Sequence, residues 1–140
     1  MTTVVNITKC KDFNAKRGRD DDDPTRNPGD VYIGRYHWDP KHGLYQKSDW
    51  HNPYRASLRT KGGRVAEKRD GTRAEVVEKY GQYILGKPGR TFLGTKPRTP
   101  PNILKRIPEL KGKRLGCWCT PDDCHGDLLA KWADEGIPSD

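Results

Sequence analysis

Residues 114–135 read RLGCWCTPDDCHGDLLAKWADE, and this stretch decides the fold class. Leu115, Cys117 and Cys119 occupy alternate positions, so they would share one face of an extended chain while the residues between them share the other. The alternation therefore predicts a strand over residues 114–119.

The second part of the stretch predicts a helix. Residues 120–123, TPDD, combine a hydroxyl that can cap a helix, a proline suited to its first position and two acids suited to its first turn. A helix is therefore predicted from about Cys124 to Glu135, with Gly136 as its end. Four apolar side chains recur on one face of this helix and are expected to be buried: Leu128, Leu129, Trp132 and Ala133.

Two further helices are predicted upstream. Thr72 and Glu75 form a capping box that begins a helix with apolar residues at helical spacing, and Gly86 ends it. Residues 103–110 predict one short amphipathic helix whose length is limited by Pro108.

Short strands complete the pattern. Residues 3–8 and 31–33 are rich in Val and Ile and predict two strands. Because strands alternate with helices, we predict a single α/β domain over residues 1–140, with a short sheet flanked by helices.

Two stretches lack a helical or strand period and are predicted to be long irregular loops. Residues 9–30 are polar and contain several glycines and prolines, and residues 36–64 mix aromatic side chains with the same breakers. A loop this long in a small domain is usually functional or disordered, and the aromatic content of residues 36–64 favours function.

The composition predicts a thin, aromatic-rich core and an anionic ligand. Only 23 of the 140 residues are Leu, Ile, Val or Phe, whereas four Trp and six Tyr can each bury a large apolar area. The chain has 27 Lys and Arg against 19 Asp and Glu, a formal net charge of +8. Such a surface attracts phosphates, which favours a nucleotide or a nucleic acid as ligand, although the same charge would also suit a simply solvated surface.

The chain is expected to be cytoplasmic and to have no membrane partner. No apolar run approaches the roughly 20 residues that span a bilayer, and the first ten residues lack the apolar stretch of a secretory signal. In a reducing compartment the four cysteines, at positions 10, 117, 119 and 124, are expected to be thiols or ligands rather than disulfides.

The predicted strand-to-helix step places Cys124 and His125 at the carboxyl edge of the sheet, where α/β proteins bind ligands. The positive end of the helix dipole stabilises a thiolate at this position. Asp127, in the first turn, is placed to orient His125 or to accept a hydrogen bond from a substrate hydroxyl. We predict Cys124 or Asp127 as nucleophile or base and His125 as their acid–base partner.

Two alternatives remain open for these residues. In the first, Cys117, Cys119, Cys124 and His125 bind zinc, but a C-x-C pair on a strand lies about 6.5 Å apart at Cα and zinc knuckles normally use C-x2-C. Zinc is therefore an alternative, and no cofactor is favoured. In the second, Cys117 and Cys119 are small core side chains and His125 only satisfies the helix end.

Four residues are predicted to bind the substrate. Arg35 follows a strand, where its guanidinium can bind a phosphate through two parallel hydrogen bonds. Trp50, Asn52 and Tyr54 combine aromatic faces with an amide that can pair with a base edge, which suits a nucleobase. These residues could instead have purely structural roles: Arg35 would form a surface ion pair, and Trp50 or Tyr54 would be part of the core. We expect the thiol and imidazole described above to face a solvent-open hollow beside these groups.

Three blocks of sequence resemble, in the same order, the domain of unknown function family numbered 4326, which is found in phages and bacteria. They are Tyr32-Ile-Gly-Arg35, SDWHNPY at residues 48–54, and GCWCTPDDCHGDLL at residues 116–129. The Cys-His-Gly-Asp run of the last block is the specific part, while the middle block has His51 and Tyr54 where the family's usual form has Gly and Phe. The resemblance covers most of the chain and implies a stand-alone domain of phage type. It implies no particular reaction.

Two functional hypotheses follow. The first is a small phage-type enzyme, a hydrolase or transferase, that acts at the sugar or base of a nucleotide or nucleic acid in the host cytoplasm. The second is a non-catalytic module that binds nucleic acid or a host protein, either without a metal or stiffened by zinc. It predicts binding that weakens steeply with salt and, in the zinc form, stoichiometric metal. The absence of a Walker loop and of G-x-G-x-x-G argues against the usual ATP and dinucleotide sites.

Overall fold

The structure is a computed structural model that describes residues 1–10, 12–13, 29–41, 43–45, 47–59, 62, 64–118 and 124–138. Its elements are β1 (Thr3–Asn6), β2 (Asp30–Tyr32), β3 (His37–Asp39), β4 (Gly43–Tyr45), β5 (Leu58–Arg59), β6 (Val65–Glu67), α1 (Arg73–Ile84), α2 (Ile103–Arg106), a 3₁₀ helix (Ile107–Leu110), β7 (Arg114–Cys117) and α3 (His125–Glu135). This mixture of helices and short sheets confirms the predicted α/β class.

A three-stranded parallel sheet carries the fold. β7 lies in its centre, between β1 and β2, and both ladders are parallel. Leu115 of β7 lies opposite Val4 on one side and Val31 on the other, so the apolar residues of the three strands are in register. The strands predicted at residues 3–8, 31–33 and 114–119 are confirmed in position. β1 and β7 end earlier than predicted, and β2 begins and ends one residue earlier.

The helices cover one face of this sheet and form the main core with it. α3 packs against β1, β7, α1 and the 3₁₀ helix. Gly126, in the first turn of α3, lies so close to the sheet that a Cβ there would be 2.7 Å from Cδ1 of Ile33. Three of the four apolar residues expected to be buried on α3 are at most 9% exposed: Leu129, Trp132 and Ala133. Leu128 is partly buried.

A smaller aromatic cluster covers the opposite face. Phe13, Tyr32 and Tyr45 are buried there with Ile7, and the rings of Tyr32 and Tyr45 lie 4.6 Å apart. Phe13 packs directly on the backbone of β7, because a Cβ on Gly116 would be 2.2 Å from Cζ of that ring. Few aliphatic residues are needed on this face, since aromatic rings cover it.

The stretch predicted as one loop over residues 36–64 contains β structure. β3 and β4 form one antiparallel hairpin, with Trp38 opposite Leu44, and β5 pairs with β6 through an irregular register. Each ladder has only two or three residues per strand, which is too short to produce a recognisable sequence period. Of the other predicted loop, 9–30, most residues lie outside the described part of the chain.

The ends of the helices follow the predicted chemistry except for the N-terminal cap of α3. Thr72 caps α1 in a complete capping box with Glu75, and Gly86 adopts a φ of +84° just after it. α3 is capped by the thiol of Cys124, which accepts a hydrogen bond from the amide of Gly126. The predicted bounds of this helix, from about Cys124 to Glu135 with Gly136 as its end, are confirmed. Residues 120–123, to which the capping chemistry was assigned, lie outside the described part of the chain.

Residues 103–110 form α2 and the 3₁₀ helix in succession. Pro108 limits the α-helical part, as predicted, because its ring cannot donate an amide hydrogen bond. Within the described residues, none of the helices combines the length and the apolar character needed to cross a membrane.

Candidate functional site

The carboxyl edge of the parallel sheet is the candidate site. Here β2 continues into Ile33, Gly34 and Arg35, β7 continues into Trp118, and α3 begins at His125. Gly34 is needed for the turn after β2, because a Cβ there would be 2.4 Å from the hydroxyl of Tyr32. The edge thus brings together a helix N-terminus and the ends of parallel strands, as predicted.

Cys124 and His125 are in contact at this edge. Nε2 of His125 lies 2.7 Å from the carbonyl oxygen of Ile33, and because a carbonyl only accepts, this nitrogen carries a hydrogen. In the neutral ring Nδ1 is then the acceptor, and it lies 3.9 Å from Sγ of Cys124. The thiol also accepts a hydrogen bond from the amide of Gly126, at 3.4 Å. The arrangement is a thiol–imidazole pair at a helix N-terminus, with a sulfur–nitrogen distance that must shorten before a proton can pass.

The pair is enclosed by protein. Cys124 is 2% exposed and His125 is 8% exposed. The ring of Tyr80 meets the imidazole edge-on, with the ring centroids 4.7 Å apart. The expectation of a solvent-open hollow is therefore wrong for these two side chains, because the imidazole is pulled inward by the Ile33 carbonyl and covered by Tyr80 of α1.

Asp127 has a different position from its two neighbours. It lies in the first turn of α3 and is exposed, and its amide donates to the carbonyl of Cys124 at 3.0 Å. The group that orients His125 is the Ile33 carbonyl, so the orienting role considered for Asp127 is filled by backbone. Its predicted role as a base or nucleophile stays a prediction.

Arg35 organises the segment that follows the first hairpin. Its Nε and Nη2 donate to the carbonyl of Asn52 at 3.0 and 2.6 Å, and Nη2 also donates to the carbonyl of Tyr54 at 2.6 Å. The parallel N–H donors of Arg35, which were predicted to bind a phosphate, thus bind two backbone carbonyls instead. The guanidinium remains half-buried at the sheet edge.

Asn52 uses both ends of its amide on the backbone. Its Nδ2 donates to the carbonyl of Val76 at 3.1 Å, and its Oδ1 accepts from the amide of Tyr54 at 2.9 Å. The side chain is 8% exposed. Asn52 therefore fastens the 52–54 segment to α1, and this contact pattern differs from the predicted pairing with a base edge.

Trp50 and Tyr54 belong to the main core. They are 5% and 1% exposed, respectively. The carbonyl of Trp50 accepts a hydrogen bond from the hydroxyl of Tyr80 at 2.8 Å, and burial raises the pKa of Tyr80 well above its ordinary value, so this donor keeps its proton. Tyr54 donates its hydroxyl to the carbonyl of Gly89 at 2.6 Å. The core position considered for these two rings is the one they occupy.

Sequence reasoning missed an aromatic surface at the same edge. The imidazole of His37 packs on the indole of Trp118, with the ring centroids 4.2 Å apart, and Nε1 of Trp118 donates to the hydroxyl of Tyr32 at 2.8 Å. Trp38 and Tyr36 are 61% and 66% exposed. The signal was the position of Trp118 directly after β7, at the ligand-binding end of a parallel strand.

The structure leaves the zinc alternative as a prediction. Cys117 and Cys124 are buried free thiols, whereas Cys119 lies outside the described residues. Across the part of the chain that is described, no group of three or more His, Cys, Asp or Glu side chains is placed to hold a metal ion.

The chain belongs to the family described as domain of unknown function DUF4326, whose profile matches residues 14–135. An uncharacterised protein, R718, of Acanthamoeba polyphaga mimivirus is 30% identical over 112 residues. This match covers 71% of the present chain and 63% of the viral protein, so the chain spans less than two thirds of that relative. No solved structure matches the chain. The predicted family is confirmed, and a viral relative accompanies it.

Proposed function

We propose that this DUF4326 domain is a cytoplasmic enzyme that acts on a nucleotide or a nucleic acid, by hydrolysis or group transfer at the sugar or base. The observation that carries the proposal is the Cys124–His125 pair: the Ile33 carbonyl holds the imidazole in the tautomer whose Nδ1 lone pair faces the thiol. Thiol–imidazole pairs of this kind activate a sulfur nucleophile.

The chemistry would proceed in two steps. Nδ1 of His125 takes the proton of the Cys124 thiol, and the thiolate forms a bond to an electrophilic carbon of the sugar or base. The group that leaves this carbon takes the proton from the imidazolium. Water then donates hydroxide to the carbon and a proton to the sulfur, which restores the thiol; in group transfer an acceptor hydroxyl replaces water.

The surroundings of the pair support this chemistry in two ways. The N-terminus of α3 stabilises a thiolate on its capping residue. The imidazole of His125 can take the thiol proton without help from a carboxylate, because its Nε2–H already donates to the Ile33 carbonyl.

The preference for a nucleotide comes from charge and from the aromatic surface. The chain has a net charge of +8 and carries Arg35 beside the site, which favours an anionic ligand. Trp38 and Tyr36, the sequence neighbours of the His37 that stacks on Trp118, have exposed rings that offer faces for a nucleobase. The predicted base-holding role of Trp50, Asn52 and Tyr54 then becomes one of supporting this edge from within the core.

Alkylation of the native protein tests the reactive pair, with Cys117 as a matched control. Cys117 and Cys124 are both 2% exposed, but only Cys124 has the helix N-terminus and the imidazole beside it. We expect iodoacetamide at neutral pH to modify Cys124 faster than Cys117, as read by peptide mass mapping, and His125→Asn to abolish the difference. Equal rates at the two thiols would overturn the assignment of Cys124 as nucleophile.

A ligand screen tests the substrate class. Nucleoside phosphates, sugar nucleotides and short oligonucleotides are added to the protein, and a rise in melting temperature reports binding to the folded state. Turnover of any ligand found in this way should disappear in Cys124→Ser while binding persists. If no phosphate-bearing ligand shifts the melting temperature, the substrate class is wrong.

The enclosure of Cys124 and His125 favours a second candidate, the non-catalytic module that binds nucleic acid or a host protein. In that case the His125–Ile33 hydrogen bond only joins α3 to β2. This candidate predicts ligand binding with no turnover and equal thiol reactivity. Metal analysis of the purified protein separates its zinc-stiffened form, which would contain stoichiometric zinc.

A further inference from the structure

A second exposed apolar feature, besides the aromatic rings near the sheet edge, lies within a segment that has basic residues and no acidic ones. Residues 79–108 contain seven Lys or Arg and no Asp or Glu. Within this segment a turn over residues 90–95 presents two apolar side chains to solvent, Phe92 at 44% and Leu93 at 74% exposure. Lys87, Arg90, Lys96 and Arg98, all exposed, flank the turn.

The turn is held firmly despite its exposure. The amide of Thr91 donates to the carbonyl of Thr95 at 2.7 Å, their hydroxyls lie 2.8 Å apart, and the guanidinium of Arg90 donates to the carbonyl of Gly94 at 2.8 Å. Gly94 has a φ of +84°, which favours glycine at this corner.

A buried carboxylate fixes the turn to the rest of the fold. Asp70 is 5% exposed; one of its oxygens accepts from the amide of Phe92 at 2.7 Å and the other from the amide of Arg55 at 2.7 Å. The amide of Phe92 is therefore anchored while its ring remains accessible, so little conformational entropy is lost when the ring meets a partner.

We propose that the 90–95 turn and its flanking cations form a binding surface for single-stranded nucleic acid, with phosphates at the cations and a base stacked on Phe92. An aromatic face inside a basic surface is the combination that single-strand binding uses, because stacking tolerates any base and the cations follow the backbone. The two apolar side chains are too few to anchor a protein in a membrane, where even a myristoyl chain gives marginal binding.

The turn is connected to the candidate site through one residue. Tyr54 donates its hydroxyl to the carbonyl of Gly89, next to the turn, and its own carbonyl accepts from Arg35 at the sheet edge. The inference deepens the proposed function and rests on it for the choice of substrate: a strand bound at the turn would be the substrate in preference to a free nucleotide. The binding itself requires no chemistry at Cys124.

Fluorescence anisotropy with labelled oligothymidylate and oligouridylate tests the surface. We expect Phe92→Ala to weaken binding about tenfold, since one stacked base is lost. The double variant Lys96→Ala/Arg98→Ala should lower the slope of log affinity against log salt by about 1.4, because two phosphate contacts contribute about 0.7 each. Lys111→Ala/Lys131→Ala is the matched control, since it removes two exposed cations outside the segment.

Each outcome decides the proposal. It is supported if the variants in the segment weaken binding and the control retains it. It is overturned if the wild type does not bind either oligonucleotide, if the control pair loses as much affinity as the segment pair, or if Phe92 instead governs binding to anionic phospholipid vesicles. The alkylation experiment is independent: equal thiol reactivity with intact Phe92-dependent binding would refute Cys124 as the nucleophile and leave this surface standing.

Discussion

At the amino end of the three-stranded sheet Arg114 binds carboxylates, whereas at the carboxyl end Arg35 binds carbonyls. Nε and Nη2 of Arg114 donate to the two carboxylate oxygens of Asp30 at 2.6 and 2.8 Å, and its Nη1 donates to Asp12 at 3.0 Å. Arg35 donates to the backbone carbonyls of Asn52 and Tyr54.

The two ends of the sheet thus differ in the groups that arginine binds: carboxylates at the amino end and backbone carbonyls at the end with the candidate site. Charges at the amino end neutralise one another, and the carboxylates of Asp30 and Asp12 raise the pKa of Arg114 further. At the carboxyl end the guanidinium of Arg35 holds the 52–54 segment, and the positive end of the α3 helix dipole lies at the same edge. The same residue type therefore pairs with a buried carboxylate at one end and fastens a loop at the other.

The largest expected effect is at the amino end. Replacing Arg114 with Met leaves the carboxylate of Asp30, whose side chain is 0% exposed, without its bidentate partner. Breaking a buried pair from one side costs about 3 kcal/mol of unfolding free energy. Urea denaturation measures the loss. Asp30→Asn/Arg114→Met should be destabilised by less than the two single losses combined, and simple additivity would show that the pair is not coupled.

A smaller loss is expected at the carboxyl end. Arg35→Ala removes three hydrogen bonds to two carbonyls and should cost about 2 kcal/mol by the same denaturation measurement. Arg35→Lys keeps the charge but not the fork, so it should recover phosphate-dependent binding better than stability. If Arg35→Lys restored stability fully, the fork geometry would have no structural role.

The smallest effect is a pH dependence at the amino end. Two hydrogen bonds from Thr2 lower the pKa of Asp134, so this contribution to stability is complete above the ordinary aspartate pKa of about 3.9 and is lost as pH falls through the lowered value. Asp134→Asn should flatten the decline of melting temperature below about pH 4. Glu135→Gln is the control. An unchanged acid decline in Asp134→Asn would contradict the assignment.

Most of the fold could be read from local patterns. The capping box at Thr72, the alternation in β7 and the apolar spacing of α3 are short-range features, and each appears in the structure. The short strand pairs β3–β4 and β5–β6 could not, because strands of two or three residues are set by the surface they cover. Likewise the cap of α3 moved to Cys124, since a thiol can fill a position usually given to a hydroxyl.

The candidate site was predicted by location better than by role. Arg35 and the Cys-His pair do lie near the 50–54 segment, because Arg35 donates to Asn52 and Tyr80 contacts both Trp50 and His125. Their hydrogen bonds, however, go mostly to backbone carbonyls from distant parts of the chain, such as Val76 and Gly89. A sequence shows which donors exist but cannot show which buried carbonyls require them.

The order of residues by itself determined the secondary structure, the α/β class, the basic charge and the family. Tertiary structure alone decided that Trp50 and Tyr54 are core side chains, and that Asn52 and Arg35 fasten a loop. It also decided that Asp70 fixes the backbone of Phe92 while the ring stays exposed. The reason is physical: helix and strand patterns depend on neighbours a few residues apart, whereas burial and hydrogen-bond partners depend on segments that meet only when the chain has folded.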